Sequence, residues 1–367
     1  MASATTKQER RFAGTKRACS PAVKPALVCC LVLCMSILAT AAPPELTVTR
    51  LGDGPIIHPG LHPSIGDNIQ GPSIIRVPDW VANPLARYYL YFADHKGSYI
   101  RLAYADNLTG PWQIHVPGSL QLEESHFLTA PPAVSDSQES EIRAQAEARG
   151  IKLHHDIIEE VTTPHIASPD VHVDHDRQQI IMYFHGLEGI GHQVSRAAVS
   201  SDGIHFEARP EALGRTYMRI FNWQDDTYAL AMPGQLYRAS GKLALENFVP
   251  GPRLFNKHMR HSAVLVHHGQ LLVFWTQVGD APEHIKVCSI DLQGDWRQWR
   301  ESESQELLKP IYSWEGANAP VEPSVRSTAY GLVNQLRDPA IFMDAEQVYL
   351  LYAIGGEAGI AIAQLDL

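Results

Sequence analysis

One short pattern occurs five times along this chain of 367 residues and constrains its fold more than any other feature. Each copy has an apolar strand, a polar turn, a second strand with Tyr, Phe or Trp, and a loop with Gly, Pro or Lys. The fullest copy, Asn68 to Trp112, contains SIIRV, YYLYFA and YIRLAYA between polar breaks, which is typical of an antiparallel meander. One such meander cannot bury both of its faces, so the copies must stack on one another.

The later copies begin at Asp170, Met218, Met259 and Arg337, with the polar turns DHDRQ, WQDD, HHGQ and DAEQ. Five similar units tens of residues apart predict an all-β fold, a five-bladed β-propeller; the alternative is a generic antiparallel sandwich. Two loop/helix insertions are expected at 118–169 and 307–335. Because the last copy ends after its third strand, the strand LTVTR from Leu46 is predicted to complete it and close the ring.

Residues 1–41 differ in composition from the rest of the chain. A basic leader and the apolar run ALVCCLVLCMSILATAA precede Ala39-Thr40-Ala41, which is typical of a secretory signal peptide and its cleavage site. The alternative is an uncleaved membrane anchor, although the apolar run is shorter than the ~20 residues that a spanning helix needs. We predict a signal peptide at 1–41, one propeller domain at 42–367, and a secreted or periplasmic protein without membrane association after cleavage.

Charge and cysteine content exclude several classes of protein. Residues 1–41 hold six of the 30 basic and one of the 40 acidic residues, so their removal changes the formal charge from −10 to −15. A chain this acidic is not expected to bind nucleic acid, which needs a basic face. Four of the five cysteines lie in the leader, and the remaining Cys288 can form neither an intrachain disulfide nor a thiolate zinc site.

The blade openings GPSII, SPDVHV and RDPAIF, with the aromatic strands that follow them, resemble those of the five-bladed β-propeller glycoside hydrolases. That group includes glycoside hydrolase families 32, 43, 62, 68 and 117, and the resemblance covers about Gly71 to Leu367. It implies a sugar site at the centre of one propeller face, lined by the first residues of each inner strand and by the loops after the second strands. It also implies an acid and a carboxylate base or nucleophile on the two sides of the scissile bond.

The resemblance carries over residue by residue and only in part. Asp170 stands where family 43 enzymes often have an Asp in a PDV opening, and Asp338 lies in an Arg-Asp-Pro opening like those that carry family carboxylates. Blade one has Gly71 where families with a catalytic base there have Asp, and blade four has Arg260-His261 where family 43 enzymes tend to have Glu. Asp170 and Asp338 are therefore the predicted core carboxylates, with Glu322 or a histidine as proton donor. The alternatives are turn capping for each Asp and a solvated loop position for Glu322.

Histidines and arginines complete the predicted site. His95 and His185 both follow a second strand, so both imidazoles are expected on one face, where they could bind hydroxyls, donate a proton or hold a metal. Arginines that open blades three, four and five suit an oxyanion on the sugar, or pair with the protein's own carboxylates. The predicted substrate-binding residues are His95, His165, His185, Arg219, Arg260, His261 and Arg337.

These patterns predict an exported glycoside hydrolase-like protein that acts on an oligo- or polysaccharide, with an acidic substituent on the sugar left open. The alternatives are a non-catalytic glycan-binding propeller, and sugar transfer or phosphorolysis on the same scaffold. No metal ligand set and no certain cofactor are predicted. An axial calcium ion, which family propellers sometimes carry, stays open.

Overall fold

Five four-stranded antiparallel sheets make up the fold in this computed structural model, which describes residues 43–367. The predicted signal peptide lies outside the described residues. Strand β1 (Thr47–Arg50) pairs antiparallel with the last strand of the chain, from Thr47 opposite Asp366 to Arg50 opposite Ala363. This pairing confirms the predicted closure, and the arrangement is the predicted five-bladed β-propeller.

The five blades follow one another along the chain, each with its inner strand first. Blade 1 contains β2 (Gln70–Arg76), β3 (Tyr88–Ala93), β4 (Tyr99–Ala105) and β5 (Gln113–Gln121). Blade 2 contains β6 (Ile166–Asp174), β7 (Gln179–Gly189), β8 (His192–Ser200) and β9 (Glu207–Ala208). Blade 3 contains β10 (Arg219–Trp223), β11 (Asp226–Ala231), β12 (Gln235–Ser240) and β13 (Val249–Arg253).

Blade 4 contains β14 (Met259–His267), β15 (Gln270–Gln277), β16 (Ile285–Asp291) and β17 (Gln305–Leu308). Blade 5 contains β18 (Arg337–Asp344), β19 (Gln347–Ala353), β20 (Ile360–Asp366) and the N-terminal β1. Short 3-10 helices lie at Pro59–Leu61, Pro63–Ile65, Leu122–Glu124, Trp296–Gln298 and Ser313–Glu315.

The first insertion is shorter than the predicted 118–169, because β5 extends to Gln121 and β6 begins at Ile166. It holds α1 (Asp136–Ala148), capped by the Ser135 side chain, and α2 (Ile157–Thr162), capped by Asp156. The second insertion follows β17 and ends before β18. Within residues 43–367, no helix is both long and apolar enough to cross a membrane.

Five apolar clusters fill the spaces between neighbouring blades. The second strand of each blade is central to its sheet and covered on both faces, which explains its aromatic and aliphatic composition. Tyr91, Phe184 and Phe274, from three different blades, are all at most 2% exposed. Burying one such side chain contributes roughly 1.5–3 kcal/mol, so blade packing holds the inner strands around the axis.

The inner strands share a local irregularity at the end where they begin. In blades 1, 2, 4 and 5 the pairing register shifts within the first residues of the inner strand. Gly71, Ser168 and Asp338 occupy equivalent bulged positions, have φ of 63°, 52° and 46°, and each precedes a proline. A Cβ on Gly71 would lie 3.1 Å from the Ser168 Cα. Since bulges re-aim side chains, this end of the ring presents its first residues to the axis.

Candidate active site

A buried carboxylate beside a histidine lies at the centre of this axial end. Asp338 is fully buried, and its Oδ1 lies 3.0 Å from Nδ1 of His261. Within residues 43–367, neither oxygen of Asp338 has a partner with full hydrogen-bond geometry. Buried polar atoms are nearly always hydrogen-bonded, to protein, ligand or water, so Asp338 can accept a hydroxyl from a ligand or water.

Both ring nitrogens of His261 face hydrogen-bond donors. Arg260 Nε donates to Nε2 at 3.3 Å, and the Asp338 backbone N–H donates to Nδ1 at 3.4 Å. Burial lowers the pKa of His261 by more than Asp338 raises it, so the imidazole is neutral at pH 7.

Stacked rings continue from His261 across blades 3 and 2. Tyr217 lies between His261 and His185, with ring centroids 4.7 and 4.5 Å away, and His165 contacts His185 edge-on at 6.0 Å. Burial lowers the pKa of His165 to about 3, and that of His185 well below its ordinary value. Burial, and then Asp338, raise the pKa of Tyr217. The row is therefore uncharged near neutral pH.

Two buried arginines in this region are neutralised by two buried glutamates. Arg337 Nη1 donates to Glu357 Oε1 at 2.7 Å, and Arg260 Nη1 to Glu283 Oε2 at 3.3 Å. His95 Nδ1 lies 3.4 Å from Glu357 Oε1. Burial raises the pKa of both glutamates, but neighbouring positive groups outweigh it and lower both values. Both carboxylates are therefore ionised and cannot serve as proton donors.

The two insertions meet over this cluster. Arg260 and Arg337 both donate to the backbone carbonyl of Ser327, at 2.7 and 3.2 Å. The Ser327 hydroxyl donates to Glu160 of α2 at 2.8 Å, and Lys96 Nζ lies 3.2 Å from the same carboxylate. The second insertion therefore covers the axial arginines, and the first insertion holds it there.

Asp170 has different surroundings, two residues further along its strand than Ser168. It lines a cavity of about 320 Å³ formed by inner strands of all five blades. The Ile220 N–H donates to its Oδ2 at 2.8 Å, His172 Nε2 lies 2.9 Å from that oxygen, and Arg219 Nη1 lies 3.6 Å from Oδ1. Burial raises the pKa of Asp170, but His172 and Arg219 outweigh it and lower the value.

The structure therefore divides the predicted site residues into two groups. Those at the Asp338 end are His95, His165, His185, Arg260, His261 and Arg337. Arg219 donates to the carbonyls of Pro169 and Ser262. Together with Asp170, it lines the 320 Å³ cavity and forms the second group. Glu322 is exposed in the second insertion and, among the described residues, has no hydrogen bond or ion pair. Their roles stay predictions.

The pairing register differs from the predicted match between His95 and His185. His185 pairs with Ala167, and the equivalent partner of Gln70 is Ala93, two residues before His95. The two histidines still lie at the same end of the ring. After burial, His95 adds to the lowered pKa of both His185 and its neighbour His165.

Sequence reasoning missed Tyr217, Glu283, Glu357, Glu160 and Ser327. Glu283 and Glu357 follow the second strands of blades 4 and 5, in the loops that the family resemblance implied as site-lining, so that signal could have found them. Within residues 43–367, no three or more His, Cys, Asp or Glu side chains form a group that could hold a metal ion.

Comparison with known proteins gives one relative that decides the family. No family model matches the chain. An uncharacterized protein of Acanthamoeba polyphaga mimivirus is 31% identical over 350 residues, which cover 88% of this chain and 91% of the viral protein. The chain belongs to the family of this viral protein. The match spans most of both chains.

Two glycoside hydrolases of solved structure are similar to this chain. The GH43_1 enzyme from Xanthomonas citri has a TM-score of 0.50 and 11% identity, over 87% of this chain and 91% of that one. A thermostable family-43 glycoside hydrolase has a TM-score of 0.49 and 12% identity, over 82% and 89%. The similarity to the Xanthomonas citri enzyme shows that the present chain has the five-bladed fold of the family 43 glycoside hydrolases, as the sequence resemblance predicted.

Proposed function

We propose that this protein acts on a glycosidic bond of an oligo- or polysaccharide at the Asp338 end of the axis, as a glycoside hydrolase-like enzyme. Asp338 carries this proposal. Among residues 43–367 it is the fully buried axial carboxylate without a guanidinium or ammonium partner. It lies where the family resemblance implies a sugar site, at the first residues of an inner strand.

In this scheme Asp338 takes a proton from the attacking water as the water oxygen bonds to the anomeric carbon. The buried His261 ring, with Nδ1 3.0 Å from Asp338 Oδ1, holds the carboxylate in position. The leaving oxygen needs a proton as its bond to the sugar breaks. Glu160, Glu283 and Glu357 all have a lowered pKa, which makes each a poor acid at neutral pH.

A histidine therefore donates the proton in our proposal. His95 is 14% exposed, whereas His165, His185 and His261 are at most 3% exposed. His95 is therefore the axial imidazole nearest to solvent, which can resupply the donated proton. Glu322 remains the other predicted donor.

A second candidate function is saccharide binding without turnover. The positions equivalent to Asp338 in blades 1 and 2 are Gly71 and Ser168, and neither can act as a carboxylate. The family resemblance implies a catalytic base in blade 1. This departure favours a propeller that kept the sugar site but lost hydrolysis.

A product analysis in ¹⁸O-labelled water separates these functions. The protein is incubated with a panel of oligosaccharides, with and without phosphate, and products are identified by mass spectrometry. Hydrolysis introduces one ¹⁸O at each new reducing end, whereas transfer or phosphorolysis gives unlabelled new products. A rise in Tm with saccharide but no product supports the binding function. If no saccharide gives a product or changes the Tm, both the catalytic and the binding function are overturned.

Export is a further part of the proposal and rests on residues 1–41. Cleavage after Ala41 gives a mature protein that begins at Ala42. N-terminal sequencing of the protein recovered outside the producing cell tests this directly. Recovery only in the cell interior with the leader intact contradicts it.

A further inference from the structure

A wide groove lies beside the axial site, between loops of blades 2, 3 and 4 and the second insertion. Its volume is about 710 Å³, within the range of small-molecule sites. The groove adjoins the axial site at two points, because lining residues Thr216 and Arg326 directly precede Tyr217 and Ser327.

The charge of this groove is unusual for an acidic protein. Its lining contains Arg215, Lys257, Arg326 and His192, and it contains no Asp or Glu. None of these four side chains has a carboxylate within ion-pair distance among residues 43–367. The axial arginines have the opposite environment, since Arg260 and Arg337 are paired with Glu283 and Glu357.

Local contacts hold Arg326 in place but do not neutralise it. Its Nη2 donates to the Lys257 carbonyl at 3.1 Å, and Nη1 lies 3.8 Å from the Met232 sulfur. Arg326 is exposed at the protein surface, yet protein atoms partly surround its guanidinium. This desolvation, and then the charge on Arg260, lower its pKa. An anion in the groove would give this guanidinium the ion-pair partner that it lacks among the described residues.

Uncharged donors complete the lining. The Thr216 hydroxyl and the Gln193 amide are both present. The Tyr237 hydroxyl also lines the groove; it accepts the Arg215 backbone N–H at 3.2 Å and keeps its own proton to donate. Guanidinium groups bind oxyanions through paired N–H donors. The groove therefore has the donors, the charge and the volume for an oxyanion attached to a sugar ring.

We propose that this groove binds an oxyanion substituent, a sulfate, phosphate or carboxylate, on the saccharide that occupies the axial site. The inference rests on the proposed function, and it names the substrate class as anionic saccharides. In this proposal the groove binds the acidic substituent of the sugar. Arg219, Arg260 and Arg337 do not bind it, because their charges lie beside buried carboxylates. The groove cations determine specificity, and the axial residues act on the bond.

Titration calorimetry with a sulfated oligosaccharide and its desulfated counterpart tests the groove, with carboxylated and phosphorylated oligosaccharides as further probes. We expect the wild type to bind at least one anionic probe about 10-fold or more tighter than its neutral counterpart, because charge-assisted hydrogen bonds are the strong ones. Lys257→Gln and Arg326→Gln are each expected to reduce this preference about 5-fold and leave neutral-probe affinity unchanged.

Lys152→Gln is the matched control, because Lys152 is exposed and does not line the groove. Lys257→Gln removes a side chain with no hydrogen bond or ion pair among the described residues, so it keeps the test valid if Arg326→Gln fails to fold. Two results would contradict anion binding in the groove: equal affinity for anionic and neutral probes, or a preference for the anionic probe that survives both groove substitutions. Either result leaves the proposed function intact. If the protein binds no saccharide at all, both the groove proposal and the proposed function are overturned.

Discussion

Asp338 and Asp170 are the same residue type near the start of two inner strands, but their surroundings differ. Asp170 accepts a backbone N–H, contacts His172 and lies 3.6 Å from the Arg219 guanidinium. Asp338 is fully buried, has no cationic side chain as partner, and faces a neutral imidazole. A place at a strand start thus does not decide the role of a carboxylate. Its partners decide whether it stabilises the ring or stays available to a ligand.

The largest expected difference between the two carboxylates is in catalysis. Asp338→Asn should lower kcat/KM for a turned-over saccharide about 1000-fold, since a positioned base typically contributes 10²–10⁴-fold. Asp170→Asn should stay within a few-fold of wild type, because Asp170 does not lie at the Asp338 end. Initial rates from the product assay measure both. Equal losses in the two variants would remove the functional distinction.

For the free energy of unfolding we expect the reverse order, with the larger loss on substitution of Asp170. Asp170→Ala leaves the Arg219 guanidinium, 3% exposed, without its carboxylate, and breaking such a buried pair typically costs about 3 kcal/mol. Asp338→Asn leaves no guanidinium unpaired and should cost less than about 1 kcal/mol. Urea unfolding at pH 7 gives both values. A larger cost for Asp338→Asn would show that its main role is structural.

Asp170 should also make the stability of the protein sensitive to acid. The folded-state pKa of Asp170 is below its ordinary value, so its contribution to stability is present above the unfolded pKa of about 3.9. That contribution is lost as the pH falls through the folded pKa. Asp170→Asn should therefore lose less stability than wild type between pH 6 and pH 3, measured by urea midpoints. Glu283 and Glu357 titrate in both proteins, so parallel curves would mean that Asp170 is not held ionised.

The smallest expected effects concern the histidine beside each carboxylate. His261 is 1% exposed and stacked on Tyr217, so His261→Asn should cost about 1–2 kcal/mol of unfolding free energy and lower turnover about 10-fold. His172 is 28% exposed, and His172→Asn should cost less than about 1 kcal/mol with normal turnover. Urea unfolding and initial rates, measured for both variants, check these predictions. If only the His172 variant lost turnover, the active site would lie at the Asp170 end and not at the Asp338 end.

The fold was largely predictable from the repeated order of turn, aromatic strand and loop, because the inner three strands of each blade are buried and apolar. The outermost strands were harder to find. Strand β9 has two residues, and β13 contains two prolines in VPGPR, so neither shows apolar alternation. The closing strand β1 was found because the last copy lacked a partner at its edge.

The site was predictable only where residues stand at strand starts, as Asp338, Arg260 and Arg337 do. Their partners Glu283 and Glu357 lie in loops without periodicity, and the pairing crosses blades, as from Arg260 in blade 4 to Glu357 in blade 5. The sequence left open whether the axial arginines bind an oxyanion on the sugar or pair with the protein's own carboxylates. Tertiary structure neutralises those arginines and leaves the unpaired cations in the groove.

Amide hydrogen exchange with and without a saturating oligosaccharide tests most directly that the saccharide binds at the Asp338 end. The account predicts slower exchange in residues 259–261, 324–328 and 337–338 when the saccharide is bound. Residues 171–173, 175 and 341–343, which line the cavity beside Asp170, should not change. Slower exchange confined to these latter segments would contradict the account and place the sugar at the Asp170 end.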